Sequence, residues 1–203
     1  LEQTTEILIF FRRFNMFSID FLIKMFRYGA YDEGAAALLK FMSRRQSYHG
    51  STLATASLTG GHHSEFGLPL SGFFHVSQPD FHGGRQPEET EEAFCKRLIA
   101  EIESVIISEG KKTIAAFFAE PVSFSSGLHA PPSNYFKLLK ELLSNHEIDL
   151  VADEVVTGFG RTGKMWGSES VELNPDHATM GKGITSGYFP LSAIAFKVLE
   201  RSS

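Results

Sequence analysis

Ile148-Asp149-Leu150-Val151-Ala152-Asp153-Glu154-Val155 is the stretch that decides the fold. It is a short apolar run of strand length, too short for a stable helix, and it delivers a carboxylate, Asp153, at its far end. Upstream, residues 134 to 145 repeat Tyr135, Leu138, Leu139, Leu142 and Leu143 on one helical face. Before that helix, Thr113 to Ala119 is a second continuous apolar run, ended by Glu120-Pro121. Unbroken apolar runs suit strands covered on both faces, and strand, helix, strand predicts a parallel pair joined by a right-handed crossover. Ligands of such sheets gather at the carboxyl ends of the strands, where Glu120 and Asp153 both fall.

Outward from this unit the signals vary in strength. Pro87 to Ser108 places Phe94, Leu98, Ile102, Val105 and Ile106 at helical spacing, with acidic residues in the first turn, where the helix dipole favours them. Leu191 to Phe196 reads as a further strand. Residues 43 to 86, rich in Gly, Ser, His and Pro, read as loops with short helical pieces. Residues 1 to 42 form a divergent, Phe-rich segment without clear strand or cap signals until Asp32, after which Gly34 to Met42 reads as a short Ala/Leu helix.

Composition narrows the function classes. With 203 residues, 42% of them hydrophobic, the chain can bury a core and is expected to form one domain or a piece of one. A net charge of −5 with scattered Lys and Arg argues against nucleic acid as a partner. Cys95 is the single cysteine, which excludes disulfide frameworks and Cys-based zinc sites. Residues 7 to 28 hold six of the nineteen phenylalanines, but Arg12, Arg13, Asp20, Lys24 and Arg27 keep every apolar run well short of the ~18 residues that span a bilayer. No membrane partner is expected, and with no signal peptide evident a cytoplasmic location is expected, a mitochondrial one being compatible.

Two motifs fail on context. Gly158-Phe159-Gly160-Arg161-Thr162-Gly163 fits G-x-G-x-x-G after a strand, but residues 164 to 170 have no helical period to meet a pyrophosphate. The same stretch nearly spells a phosphate-binding P-loop, yet Met165 stands where a hydroxyl must hold magnesium. His62 and His63 lie in a Gly-flanked loop, where adjacent side chains point apart, so no metal is expected there.

Four segments remain: Ser47-Tyr48-His49-Gly50-Ser51-Thr52, Ala119-Glu120-Pro121-Val122, Ala152 to Gly163, and Gly181-Lys182-Gly183-Ile184-Thr185-Ser186-Gly187-Tyr188. A lysine in a glycine-rich loop is by itself usually a solvated charge, and an Asp at a strand end is often a turn former. Together and in this order, from about Phe41 onward, they resemble the class III (omega-type) aminotransferases of pyridoxal phosphate fold type I. The resemblance implies a three-layer α/β/α domain with a mainly parallel sheet, present here incompletely over residues 43–203 and lacking the C-terminal small domain. It implies that Lys182 holds pyridoxal 5'-phosphate covalently and then carries the proton at the substrate Cα. Asp153 would keep the pyridine nitrogen protonated. Tyr48 and Val155 would press on opposite ring faces, Glu120 would lie near the ring's phenolic oxygen, and His49 and Gly50 would shape their turn.

The implied reaction moves an amino group from an amine or omega-amino acid to a 2-oxo acid in a homodimer. The family's phosphate-binding Gly-Ser loop has no clear counterpart, since Tyr31-Asp32-Glu33 stands where small and hydroxyl residues are expected. The partner-subunit Thr and the carboxylate-binding Arg are not found either. A second expectation is therefore a truncated, catalytically inactive remnant of such an enzyme.

Overall fold

The fold was obtained as a computed structural model, which describes residues 6–12, 15–32, 39–61, 64–110, 112–125 and 127–198. Its strands are β1 (Glu6–Arg12), β2 (Lys40–Arg44), β3 (Phe73–Val76), β4 (Ile114–Ala119), β5 (Asp149–Asp153), β6 (His177–Met180) and β7 (Ser192–Val198). Its helices are α1 (Asn15–Asp32), α2 (Leu53–Leu58), α3 (Phe81–Gly84), α4 (Glu91–Glu109), α5 (Tyr135–Asn145) and α6 (Gly167–Ser170). The strands form one sheet in the order β1-β7-β6-β5-β4-β2-β3. Strands β3, β2, β4, β5 and β6 are mutually parallel, while β7 runs antiparallel to both of its neighbours. The strand, helix, strand unit read from residues 113 to 156 is present as β4, α5 and the parallel β5.

Both faces of the sheet are covered. On one, α4 and α5 bury Phe94, Leu98, Ile102, Leu139 and Leu143 against Phe117, Leu150 and Ala152. On the other, Ile19, Leu22 and Ile23 of α1 pack with Phe41, Phe118, Val151 and Ile194. Alternation along each strand explains the split: Phe117 faces one layer and Phe118 the other. The result is the expected three-layer arrangement. The ends of α4 follow local chemistry, since Thr90 Oγ1 accepts from Ala93 N at 3.2 Å and Gly110 ends the helix at φ 95°. Among the described residues no helix is long and apolar enough to cross a membrane.

Three expectations need correction. Residues 40 to 42 of the anticipated Gly34 to Met42 helix belong to β2, and residues 33–38 lie outside the described set. Phe41 and Met42 are fully buried on opposite faces, an alternation that a strand provides. The Phe-rich segment supplies β1 and α1, the latter held by apolar residues at positions 19, 22, 23 and 26. Residues 43 to 86, read as loops with helical pieces, also contain β3, a four-residue strand whose Phe73 and Val76 are buried. The histidine pair His62 and His63 lies outside the described residues.

Candidate active site

Four parallel strands end at one cavity of about 200 Å3. Tyr48, His49 and Gly50 arrive on the loop after β2, Glu120 follows β4, Asp153 closes β5, and Lys182 follows β6. All six residues proposed for a cofactor from the sequence, namely Lys182, Asp153, Val155, Tyr48, His49 and Glu120, line this one space. Parallel strands side by side put their carboxyl ends on one edge, so residues far apart in sequence converge without special loops.

Asp153 is buried and held by three donors. His49 Nδ1 lies 2.8 Å from Oδ2, Val155 N donates to Oδ1 at 3.2 Å, and Thr179 Oγ1 donates to Oδ1 at 3.3 Å. A carboxylate only accepts, so the His49 proton is on Nδ1. A carboxylate has about four lone-pair sites. Among the described residues these three donors, two on Oδ1 and one on Oδ2, leave one such site open on Oδ2.

Glu120 is buried and fixed at both oxygens: Tyr48 N donates to Oε1 at 2.8 Å and Phe124 N to Oε2 at 3.1 Å. Behind it, fully buried Arg44 donates from Nη2 to the Glu120 carbonyl at 2.6 Å. Burial pushes the Arg44 guanidinium below its ordinary pKa, against the opposing pull of Tyr135 and Glu120. Tyr135, also buried, is pushed up to about 12 by desolvation. Tyr48 is half-exposed on one wall of the cavity and Val155 is buried on another.

Lys182 opens a 3-10 turn, Lys182–Thr185, with its backbone at φ 40°, a left-handed conformation uncommon for a side-chain-bearing residue. Residues 155 to 165 form a turn-rich loop and no helix starts before Gly167, so the glycines at 158, 160 and 163 do not open the helix that a dinucleotide fingerprint requires.

The sequence reading did not single out Ile19, Thr157 or Thr179. Ile19 reaches the cavity from α1, and the i, i+3, i+4 spacing of Ile19, Leu22 and Ile23 was the available signal. Thr179 sits on β6, a four-residue strand not anticipated, and only the β5–β6 register, with Asp153 opposite Thr179, brings it to the carboxylate.

Comparison with known proteins identifies the family. The profile of the family described as Aminotransferase class-III matches residues 18–198, beginning within α1 and so further upstream than the motifs indicated. Gamma aminobutyrate transaminase 3, chloroplastic, of Solanum lycopersicum is 45% identical over 157 residues, covering 76% of this chain and 30% of that protein. An omega-aminotransferase structure from Paracoccus denitrificans superposes with a TM-score of 0.91 at 36% identity, covering 96% of this chain and 44% of that one. A PLP-bound aminotransferase mutant from Vibrio fluvialis superposes with a TM-score of 0.89 at 39% identity, covering 93% of this chain and 42% of that one. The chain therefore spans about a third of the curated relative and under half of the solved chains. With the family's profile matched over most of its length and its strand-end cavity in place, the chain belongs to the class III aminotransferases.

Proposed function

We propose that this chain forms the cofactor-binding part of a pyridoxal 5'-phosphate-dependent transaminase that moves an amino group from an amine or omega-amino acid to a 2-oxo acid. The observation that carries the reading is the convergence of Asp153 and Lys182, from the ends of β5 and β6, on one cavity walled by Tyr48 and Val155. The donor set fits the group: a buried carboxylate with one lone-pair site to spare, an amine, and an aromatic and an aliphatic wall. The family is dependent on pyridoxal phosphate, and the Vibrio fluvialis relative is described as bound to it.

When bound, the cofactor supplies an electron sink for the pair left behind as a substrate Cα loses its proton. Asp153 would hold the protonated ring nitrogen, and His49 and Thr179 would keep that carboxylate aimed into the cavity. Lys182 would hold the cofactor covalently through its amine and, once released, would hold and move the proton at the substrate Cα. Tyr48 and Val155 would restrict the ring to one plane, which fixes the face on which Lys182 works. Glu120, clamped by two backbone amides, would offer a fixed negative charge beside the ring and substrate.

The likeness to omega-aminotransferases and gamma-aminobutyrate transaminases supports a terminal amine as donor. Exposed Phe124, Tyr188 and Phe189 in the loops that follow β4 and β6 support a second subunit covering this edge. Added pyridoxal phosphate is expected to give the chain an absorbance band at roughly 410–430 nm that borohydride fixes onto Lys182. The Lys182→Ala variant should show neither band nor label. A folded sample with no band overturns the reading.

A further inference from the structure

Glu154, next to the proposed cofactor-holding Asp153, is 1% exposed and is not among the residues that line the cavity. Four donors converge on its carboxylate. Thr157 Oγ1 and Gly167 N donate to Oε2 at 2.5 and 2.9 Å, and Ser168 N and Ser168 Oγ donate to Oε1 at 2.7 and 2.6 Å. These bonds join the start of the loop after β5 to its end at Gly167 and Ser168. One buried side chain thus closes a loop of more than ten residues.

The closed loop bears on the lysine turn. Phe159, at φ 59°, packs edge-on against Trp166 with ring centres 5.1 Å apart. Its Cβ and Cδ2 lie where a side chain on Gly183 would need space: a Cβ there would come within 3.1 Å of Phe159 Cβ and 3.4 Å of the Gly158 carbonyl. Gly183 immediately follows Lys182, whose left-handed backbone must be held in place by its surroundings. Gly167 is similarly confined, since a Cβ there would meet Thr157 Cβ at 2.4 Å and Glu154 Oε2 at 3.0 Å.

We infer that Glu154 is a positioning residue: by closing the 155–167 loop it seats Phe159 against Gly183 and thereby fixes the turn that presents Lys182 to the cavity. The inference rests on the transaminase reading for what Lys182 does, but the coupling itself exists without cofactor. Glu154→Gln tests it with little change in volume. Its amide nitrogen must replace one oxygen and so confronts either Gly167 N–H or Ser168 N–H, neither of which can turn round as a hydroxyl can.

Hydrogen exchange of the cofactor-free whole chain is the first measurement. Glu154→Gln should accelerate exchange in residues 181–186 as well as 155–167 by roughly tenfold to a hundredfold, the cost of losing a bond to a charged acceptor, with β4 unaffected. Trp166, the single tryptophan, should shift its emission in the same variant. In the loaded protein, the pH midpoint of the visible band, which reads the Lys182 nitrogen, should move by at least about half a unit. Should Glu154→Gln fail to fold, Ser168→Ala, which removes one donor of the four, is read in the same peptides with the same sign. Unchanged exchange at 181–186 in a folded variant, or an unmoved midpoint, overturns the inference. If the unmodified chain takes up no cofactor at Lys182, the transaminase reading fails while the exchange data still decide the clamp.

Discussion

The 2.8 Å contact between His49 Nδ1 and Asp153 Oδ2 joins two buried residues 104 positions apart in sequence. Replacing the acid with Asn keeps the shape but removes the charge that would hold a ring nitrogen in its protonated form. On the proposed transaminase reading, Asp153→Asn is therefore expected to lower amino transfer roughly 10²- to 10³-fold, the range for losing one preorganised electrostatic partner, while borohydride trapping at Lys182 persists. Single-turnover kinetics with an amine donor and mass mapping of the trapped lysine check both halves. At this scale the convergence of Asp153, Glu120 and Lys182 on one cavity was legible because each sits in a short local motif at a strand end. Glu154 and Thr179 were not. Thr157 apart, their partners lie 13 to 26 residues away, and only the sheet register and the loop's closure bring them together.

Elements differ in how plainly the sequence announces them. α4, β4, α5 and β5 carry long one-sided or unbroken apolar patterns, and the structure reproduces them within a few residues. β2, β3 and β6 have only four or five residues each, too few for a period to stand out from a loop rich in Ser, Gly and His. α1 was hidden by its lack of cap signals, and its anchor is tertiary: Asp20 Oδ1 accepts from Thr52 Oγ1 at 2.8 Å, while the same hydroxyl accepts from Thr55 N to cap α2. Thr52→Ala should cost about 1 kcal/mol, the usual value of a lost N-cap. Fully buried Leu139 on α5 should cost about 2–5 kcal/mol when cut to Ala, a loss of side-chain packing that the surrounding layer refills only in part. Urea unfolding followed by circular dichroism separates the two.

Across the whole molecule, stability should depend on mild acid through His75, whose Nε2 lies 3.2 Å from the Leu58 carbonyl. Burial lowers its pKa from 6.5, with the Leu58 bond opposing and the nearby His49 adding to the fall. The unfolded chain therefore binds this proton more readily than the native one, so stability is full above 6.5 and declines as pH drops below that value. A urea midpoint that falls between about pH 7.5 and about pH 5.5, and falls less in His75→Gln, is the expected result. The parallel pairing of β4 and β5 was legible from one strand, helix, strand unit, whereas the three-layer architecture as a whole came from the family resemblance of four motifs. The antiparallel β1–β7 edge was not, since its pairing joins the two ends of the chain.

Tyr48, Glu120, Asp153 and Lys182 hang from four separate strands, and every pairing among those strands is non-local. Chains dominated by such pairings renature slowly, because loop closure must precede the contacts that reward it. With the proposed cofactor site, a polypeptide recovering from denaturant in the presence of pyridoxal phosphate should thus regain helical signal early and develop a yellow colour late, making pigment a clock for the last strand to dock.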